Sequence, residues 1–499
     1  MLHATTHVGP TPLAQQPRAM RNPQSVAALV DWLRHVSLDR VMGEAAQHLA
    51  RGVPEEDLWA ACARTACRYL NNQAHNLMGF VSHAMIGVED ARRLAATQPP
   101  RTRHLLLLQS LYQTVMDLHD ICFGPYELLP FWPHRDGSLE ETVKLLRADV
   151  HFGEYCRADH RFLGLAEVMS RGDLVDLVLD IGLEGVTTDD HTIISPVLML
   201  GMIDLVGWDA GLEMLRWSVR YSSSFPINRA SYVRAVELRQ RYGLTHGPTH
   251  YGLQPELVQP LRAQLYDAAP CDRPELIAQA LADRAYSPAT AIAAAAQAAC
   301  DMYLRIDPVP HEDFDAISRE VAPIHIGNAL RLLREGLCYM APYTQALAAI
   351  QAGSLLERGP SVISADFRFV PFEPVRAYPY AEDVARWAGH TPDRLLASLR
   401  DALHAHDCRH VTALVRAYAE SSAPCELLIA QLTAVAATDN GTLMHNVKHL
   451  NSMVIEFHTS YHPDRWNFLA QAAKFMGWYA GLTTDGYARA EAALAAHVN

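Results

Sequence analysis

The sequence predicts an all-α protein, and three observations lead to that prediction. Apolar residues recur at three- and four-residue spacing in long segments such as SVAALVDWLRHVSLDRVMGEAAQHLARG, which is the pattern of amphipathic helices. Alternation typical of strands is scarce, and ADFRFVPF is the candidate for one short strand. The 499 residues are 49% hydrophobic and 19% charged, which is enough apolar material for a large core.

The chain is expected to consist of a short lead-in and one long domain. Residues 1–24 are polar, contain prolines and lack the apolar core of a secretory signal, so we expect them to be disordered. Residues 25–499 form the predicted all-α domain. The loop near residues 360–380 is where a subdivision would fall, although its aromatic residues indicate docking against the core.

Charge and cysteine content exclude several classes of protein. A net charge of −13 without clusters of Lys and Arg argues against nucleic-acid binding. The absence of an 18-residue apolar run argues against a membrane span. Nine scattered cysteines without a C-x-x-C pair predict free thiols in a reducing cytoplasm.

Successive helical segments follow the first one along the chain. EDLWAACARTACRYL, TRHLLLLQSLYQTVMDLHD and PELIAQALADRAY have helical periodicity. SPATAIAAAAQAACDMYLRI begins with Ser287 and Pro288, which are placed like an N-cap and a first-turn proline. Segments rich in Pro and Gly, such as PFWPHRDGS and RYGLTHGPTHYGLQP, are predicted loops.

The first of four histidine-bearing segments is LNNQAHNLMGFVSHAMIG. A helix through it would place His75, Met78, Gly79 and Ser82 near one line. His83 would lie about 80° around that helix from His75.

The second segment, DDHTIISPVLMLGMIDLVGW, predicts a buried helix because it is apolar on all sides. Asp189 or Asp190 would cap it, His191 would lie in its first turn, and Pro196 would kink it. A histidine at the mouth of a buried helix needs a partner, because an unsatisfied buried polar group costs about 1–3 kcal/mol.

The third segment, REVAPIHIGNALRLLREGL, has Pro323 at a predicted helix start, with His325 and Asn328 along one face. The fourth segment, NGTLMHNVKHLNSMVIEFH, carries His445, Lys448 and His449. His445 and Lys448 lie about 60° apart on a helical wheel and far from its apolar stripe. That favours a solvated face, whereas the apolar flanks of the segment favour a helix covered on both sides.

A single histidine of this kind is more often structural than catalytic. Periodicity alone therefore predicts a large α-protein and does not identify its function. In this order, however, the four segments resemble the questin oxidase-like family over roughly residues 60–480. AHNLM resembles an NHxxM-type helix, DHTII a THGLI- or GHKAI-type helix, IHIGNAL an H…NAL helix, and HNVK an HDYK-type helix. The Asp of HDYK is absent here, and DHTII departs from the usual residue after its histidine.

The resemblance implies an all-α, flavin-free oxygenase of aromatic polyketides with non-haem iron. Its ligands would be four histidines and a carboxylated lysine, which correspond to His75, His191, His325, His445 and Lys448, with His449 peripheral. It would act with O₂ on an aromatic or polycyclic small molecule, by ring cleavage or Baeyer–Villiger-type oxygen insertion. The oligomeric state is left open.

Further residues are candidates for the pocket around that ion. We expect His83 and Asn328 to act in catalysis, with Gly79, Asp117, His119 and Trp208 as wall or supporting residues. Asp190 or Asp117 would accept the second N–H of a ligand imidazole. Two alternatives remain: another metal-dependent enzyme on this scaffold, or a helical binding protein without a metal.

Overall fold

The computed structural model confirms the predicted all-α class. It describes residues 23–71, 81–224, 227–244, 252–283, 286–307, 315–358, 361–363, 369–371, 374–438, 443–480 and 485–498, with the backbone alone for 315–322 and both strands. In this part of the chain there are 23 α-helices and one two-stranded antiparallel sheet.

The helices α1–α8 are Pro23–His35, Val41–Ala50, Glu55–Tyr69, His83–Ala95, Pro100–His119, Leu139–Phe152, Tyr155–Ala166 and Arg171–Gly185. The helices α9–α16 are His191–Val206, Trp208–Ser222, Ala230–Arg241, Pro255–Asp267, Arg273–Ala282, Pro288–Tyr303, Asp315–Gly336 and Pro342–Leu355. The helices α17–α23 are Ala381–Trp387, Pro392–His404, Cys408–Glu420, Cys425–Ala436, His445–Thr459, Trp466–Tyr479 and Gly486–His497. The strands β1 and β2 are Ser361–Ile363 and Phe369–Pro371.

The strand predicted in ADFRFVPF is present as β2, which pairs with β1 so that Val362 faces Val370. The predicted cap of α14 is also confirmed, because the Ser287 side chain accepts a hydrogen bond from the Thr290 amide. Pro196 lies inside α9, which continues without a break to Val206.

Two helix predictions are wrong: a continuous helix through Ser82, and a helix start at Pro323. Ser82 has an extended backbone and caps α4, accepting from the Ala84 amide, so the helix begins at His83 instead of continuing through Ser82. Pro323 lies inside α15, which begins at Asp315. A proline inside a helix forfeits one backbone hydrogen bond, and the packing of α15 in the core outweighs that loss.

Four helices form a closed ring at the centre of the fold. The helix α4 packs against α9 and α21, and α15 packs against the same two helices. A single cluster of buried apolar side chains extends from α1 to α23 around this ring. Histidines stand at the first residue of α4, α9 and α21, and a fourth stands inside α15.

No helix in the described ranges has both the length and the apolar character needed to cross a membrane. All nine cysteines are free thiols, as the absence of paired spacing predicts.

Candidate metal centre

Four imidazoles from the four ring helices meet in the core. His83, His191, His325 and His445 are only 3–7% exposed. The Nε2 atoms of His325 and His445 lie 3.0 Å apart. The ring of His83 is 4.5 Å from that of His445, and the ring of His191 is 4.9 Å from that of His325, between centroids. Residues more than a hundred positions apart in sequence therefore converge on one buried locus.

The fourth segment is covered on both sides, and its solvated-face alternative is wrong. Lys448 lies on α21, one turn after His445, and is 1% exposed. Burial lowers the pKa of Lys448 to about 8. The neutral amine, the form that can react as a nucleophile, is therefore much more accessible than in an ordinary lysine.

The donor set fits a transition-metal ion. Two ligands at right angles with metal–nitrogen bonds of about 2.1 Å would stand about 3.0 Å apart, which matches the His325–His445 separation. Within the described ranges, His191 Nε2 and Lys448 Nζ are buried and have no hydrogen-bond partner. A bound cation would satisfy the lone pair of His191 Nε2, and that of Lys448 Nζ when the amine is neutral; without a partner each group carries the cost of an unmet buried polar group.

Two consecutive carboxylates hold two of the imidazoles by Nδ1. The Nδ1 atom of His191 is 2.8 Å from Asp189 Oδ1, and the Nδ1 atom of His325 is 3.1 Å from Asp190 Oδ2. If each Nδ1 carries the proton, each Nε2 presents a lone pair, as a metal ligand requires. Burial opposes ionisation of both carboxyls, but the neighbouring imidazoles hold the pKa of each below its usual value.

The surroundings of His83 and His325 also favour their neutral forms. Burial lowers the pKa of His83 and of His325, and the nearby Lys448 charge lowers both further, with Asp190 opposing the effect at His325. Only neutral imidazole binds metals, so this environment favours the form that can coordinate.

The helices α15 and α21 run in parallel and share a series of cross-helix polar contacts, here called the polar seam. Its first pair is the two histidine Nε2 atoms, and its second is Asn328 Oδ1 with His449 Nδ1 at 3.1 Å. The complete seam consists of His325–His445, Asn328–His449, Arg331–Ser452 and Arg334–Glu456. His449 is fully buried rather than peripheral, and burial lowers its pKa to about 3.

The structure brings most of the predicted ligands together. His325 contacts His445, His191 lies beside His325, and the charge of Lys448 lowers the pKa of His83 and His325. His75 and Gly79 lie outside the described residues. His83, predicted as catalytic, stands where a fourth imidazole ligand is expected: its nitrogen lies within 4.8 Å of nitrogens of His325 and His445.

Other predicted pocket residues have local roles. Asp117 accepts from the Ser82 hydroxyl and from Gln113 Nε2 at 2.8 Å. His119 is exposed and lies 3.2 Å from the Val36 carbonyl, so it is not part of the centre. Among the described contacts, Trp208 does not line the centre: its ring packs under the Arg171 guanidinium, 4.8 Å from the ring centroid.

Sequence reasoning missed two supporting residues, Asp189 and Tyr221. The sequence pattern indicated Asp189 only as a helix cap. The Asp-Asp-His tripeptide could have indicated a carboxylate that supports the histidine. Tyr221, whose hydroxyl donates to Asp189, lies 32 residues further along the chain in a different helix, and nothing in its local sequence pattern marks it.

Comparison with known proteins supplies no relative: no family model matches the chain, and neither a curated protein nor a solved structure matches it. The assignment of function therefore depends on the site itself.

Proposed function

We propose that this chain is a metal-dependent oxygenase that holds one iron ion at the convergence of α4, α9, α15 and α21. The ligands would be His83, His191, His325 and His445, with Lys448 as the fifth. The observation that carries the proposal is this set of buried nitrogens from distant segments, two of which have no other partner in the described part of the chain. His75, outside the described residues, is the alternative ligand from the first segment.

A bound iron would supply the one-electron chemistry that dioxygen requires. The protein's part is orientation and exclusion of water. Asp189 and Asp190 hold a proton on Nδ1 of His191 and His325, which directs Nε2 inward. The buried ring of helices keeps the surroundings dry, which strengthens every charge interaction at the site.

Lys448 is proposed to act as a carbamate. Its neutral Nζ would form an N–C bond with CO₂ and release one N–H proton, which leaves an anionic oxygen donor. The burial that lowers its pKa to about 8 favours this reaction. The negative charge would offset the charge of the ion, which four neutral imidazoles leave unchanged.

Asn328 and His449 are proposed to orient the substrate. Asn328 Nδ2 and His449 Nε2 are buried and have no hydrogen-bond partner within the described ranges. They lie one helical turn beyond His325 and His445, so a hydroxyl or carbonyl group of a substrate beside the ion would find a donor and an acceptor there. The aromatic or polycyclic class of substrate is proposed from the family resemblance.

Plasma mass spectrometry of the purified protein tests the proposal. We expect close to one iron per chain, and oxygen consumption by the iron-loaded protein with hydroxylated polycyclic aromatic compounds. Iron without oxygen consumption would favour another metal-dependent enzyme. Protein that stays metal-free after incubation with Fe²⁺ under anaerobic conditions would favour the helical binding protein and overturn the proposal.

A further inference from the structure

Tyr221 links two parts of the candidate centre through its hydroxyl group. It is buried on α10, where its ring stacks on Trp217 with centroids 5.6 Å apart. The hydroxyl donates to Asp189 Oδ2. The backbone amide of Val81, two residues before His83, hydrogen-bonds to the same phenol.

The two oxygens of Asp189 serve different partners. Oδ1 accepts from the His191 backbone amide at 3.0 Å and from His191 Nδ1 at 2.8 Å. Oδ2 accepts from Tyr221. One carboxylate therefore divides its negative charge between the imidazole of His191 and the phenol of Tyr221.

Asp190 is supported differently. Its carboxylate faces His325 Nδ1 at 3.1 and 3.3 Å, and the Arg358 guanidinium lies 4.0 Å from it. The adjacent carboxylates thus have unlike partners, a neutral hydroxyl donor at Asp189 and a cation at Asp190. A phenol can be altered without changing the net charge of the site.

A hydrogen bond to a carboxylate lowers the strength with which that carboxylate accepts a second one. Here the second donor is His191 Nδ1–H, and a stronger acceptor at Nδ1 makes Nε2 a stronger donor to an ion. We propose that Tyr221 is a positioning residue that weakens His191 as a ligand by sharing Asp189. This inference rests on the proposed metal centre. It predicts the direction of one effect: removal of the phenol hydroxyl should tighten metal binding.

The test uses the full-length chain and Co²⁺ as the probe, with affinity measured by chelator competition and the Co²⁺ absorption spectrum. Tyr221→Phe should bind Co²⁺ several-fold more tightly than wild type. Asp189→Asn should bind about 10–100-fold more weakly, as loss of a carboxylate behind a ligand imidazole usually does. Wild-type protein that takes up no Co²⁺ would overturn the metal centre and this inference together.

A purely structural role for Tyr221 predicts the opposite change in the Co²⁺ affinity of Tyr221→Phe. Loss of a buried hydrogen bond should lower the stability of metal-free Tyr221→Phe, and a merely structural tyrosine would lower metal affinity with it. Tyr418→Phe is the matched control, because Tyr418 is equally buried and donates to the Pro424 carbonyl at 2.8 Å. It should lose stability and keep wild-type Co²⁺ affinity.

A further variant keeps the inference testable if Tyr221→Phe does not fold. Replacing Tyr221 by 3-fluorotyrosine retains the hydroxyl and makes it a stronger donor, so Co²⁺ affinity should fall. With wild type loaded normally, unchanged or weaker binding by Tyr221→Phe, or tighter binding by the fluorinated protein, would refute the role of Tyr221 and leave the metal centre standing.

Discussion

The two fully buried lysines of the core provide a direct test of what Lys448 is for. Lys448 and Lys474 are each 1% exposed. Lys474 donates to the Ile306 carbonyl at 2.6 Å, whereas Lys448 Nζ has no hydrogen-bond partner in the described part of the chain. We predict that Lys448→Met stabilises the metal-free protein and that Lys474→Met destabilises it.

The magnitude follows from the burial of the amine. The pKa of Lys448 falls from 10.5 to about 8, and each unit corresponds to about 1.4 kcal/mol. Below pH 8 the Lys448 amine is charged in both the folded and the unfolded protein. Burying that charge costs the folded metal-free protein about 3 kcal/mol, a cost that methionine removes. Lys474→Met instead leaves the Ile306 carbonyl without its donor, at a cost of about 1–3 kcal/mol.

Urea unfolding at pH 7 in excess chelator, followed by circular dichroism, measures both effects. Iron analysis of the same variants completes the comparison: Lys448→Met should lose its metal, and Lys474→Met should keep it. A Lys448→Met protein that is less stable than wild type by as much as Lys474→Met would refute the reasoning, because Lys448 would then be an ordinary structural residue.

Three further predictions follow from the same contacts. Chelation should lower the melting temperature, because an ion bound only to the native state at a thousandfold excess over Kd adds about 4 kcal/mol; calorimetry with and without chelator measures this. Lys448→Arg, which cannot be carboxylated, should lose iron, whereas His449→Ala should lose stability but keep its iron by plasma mass spectrometry; the reverse result would overturn the assignment on α21. Burial opposes ionisation of Glu335, but Arg331 and Arg93 hold its pKa at about 2, below the ordinary 4.5. Its contribution of about 3 kcal/mol is therefore present above pH 4.5 and lost as the pH falls towards 2, so the stability gap between wild type and Glu335→Gln in urea should close over that range.

The fold class could be predicted because helical periodicity is a local property of the sequence. The cap at Ser287 and the short strand at β2 were predictable for the same reason. The start of α15 was not, because Pro323 is a common first-turn residue and only tertiary packing decides that the helix begins eight residues earlier, at Asp315.

Several residues of the candidate site were named from the sequence, but the contacts between helices that bury them could not be predicted. The wheel of α21 placed His445 and Lys448 away from its apolar stripe, which is true, yet both are buried because α4 and α15 cover that face. A helical wheel reports direction around one axis and carries no information on what lies opposite. The same limit hid Tyr221, which reaches Asp189 from a neighbouring helix.

The polar seam explains how a core can hold so many polar groups and still leave some of them available. Further along the seam, the fully buried Arg331 contacts Ser452 at 3.3 Å and Glu335 at 3.0 Å, and it also binds Asp90. This pairing offsets the cost of burying a guanidinium and fixes the register of α15 against α21. Register matters because a shift of one residue would turn His325 away from His445 by about 100°. The seam is satisfied around Arg331, whereas Asn328 Nδ2 and His449 Nε2 have no hydrogen-bond partner within the described residues, so a substrate beside the proposed ion would complete them.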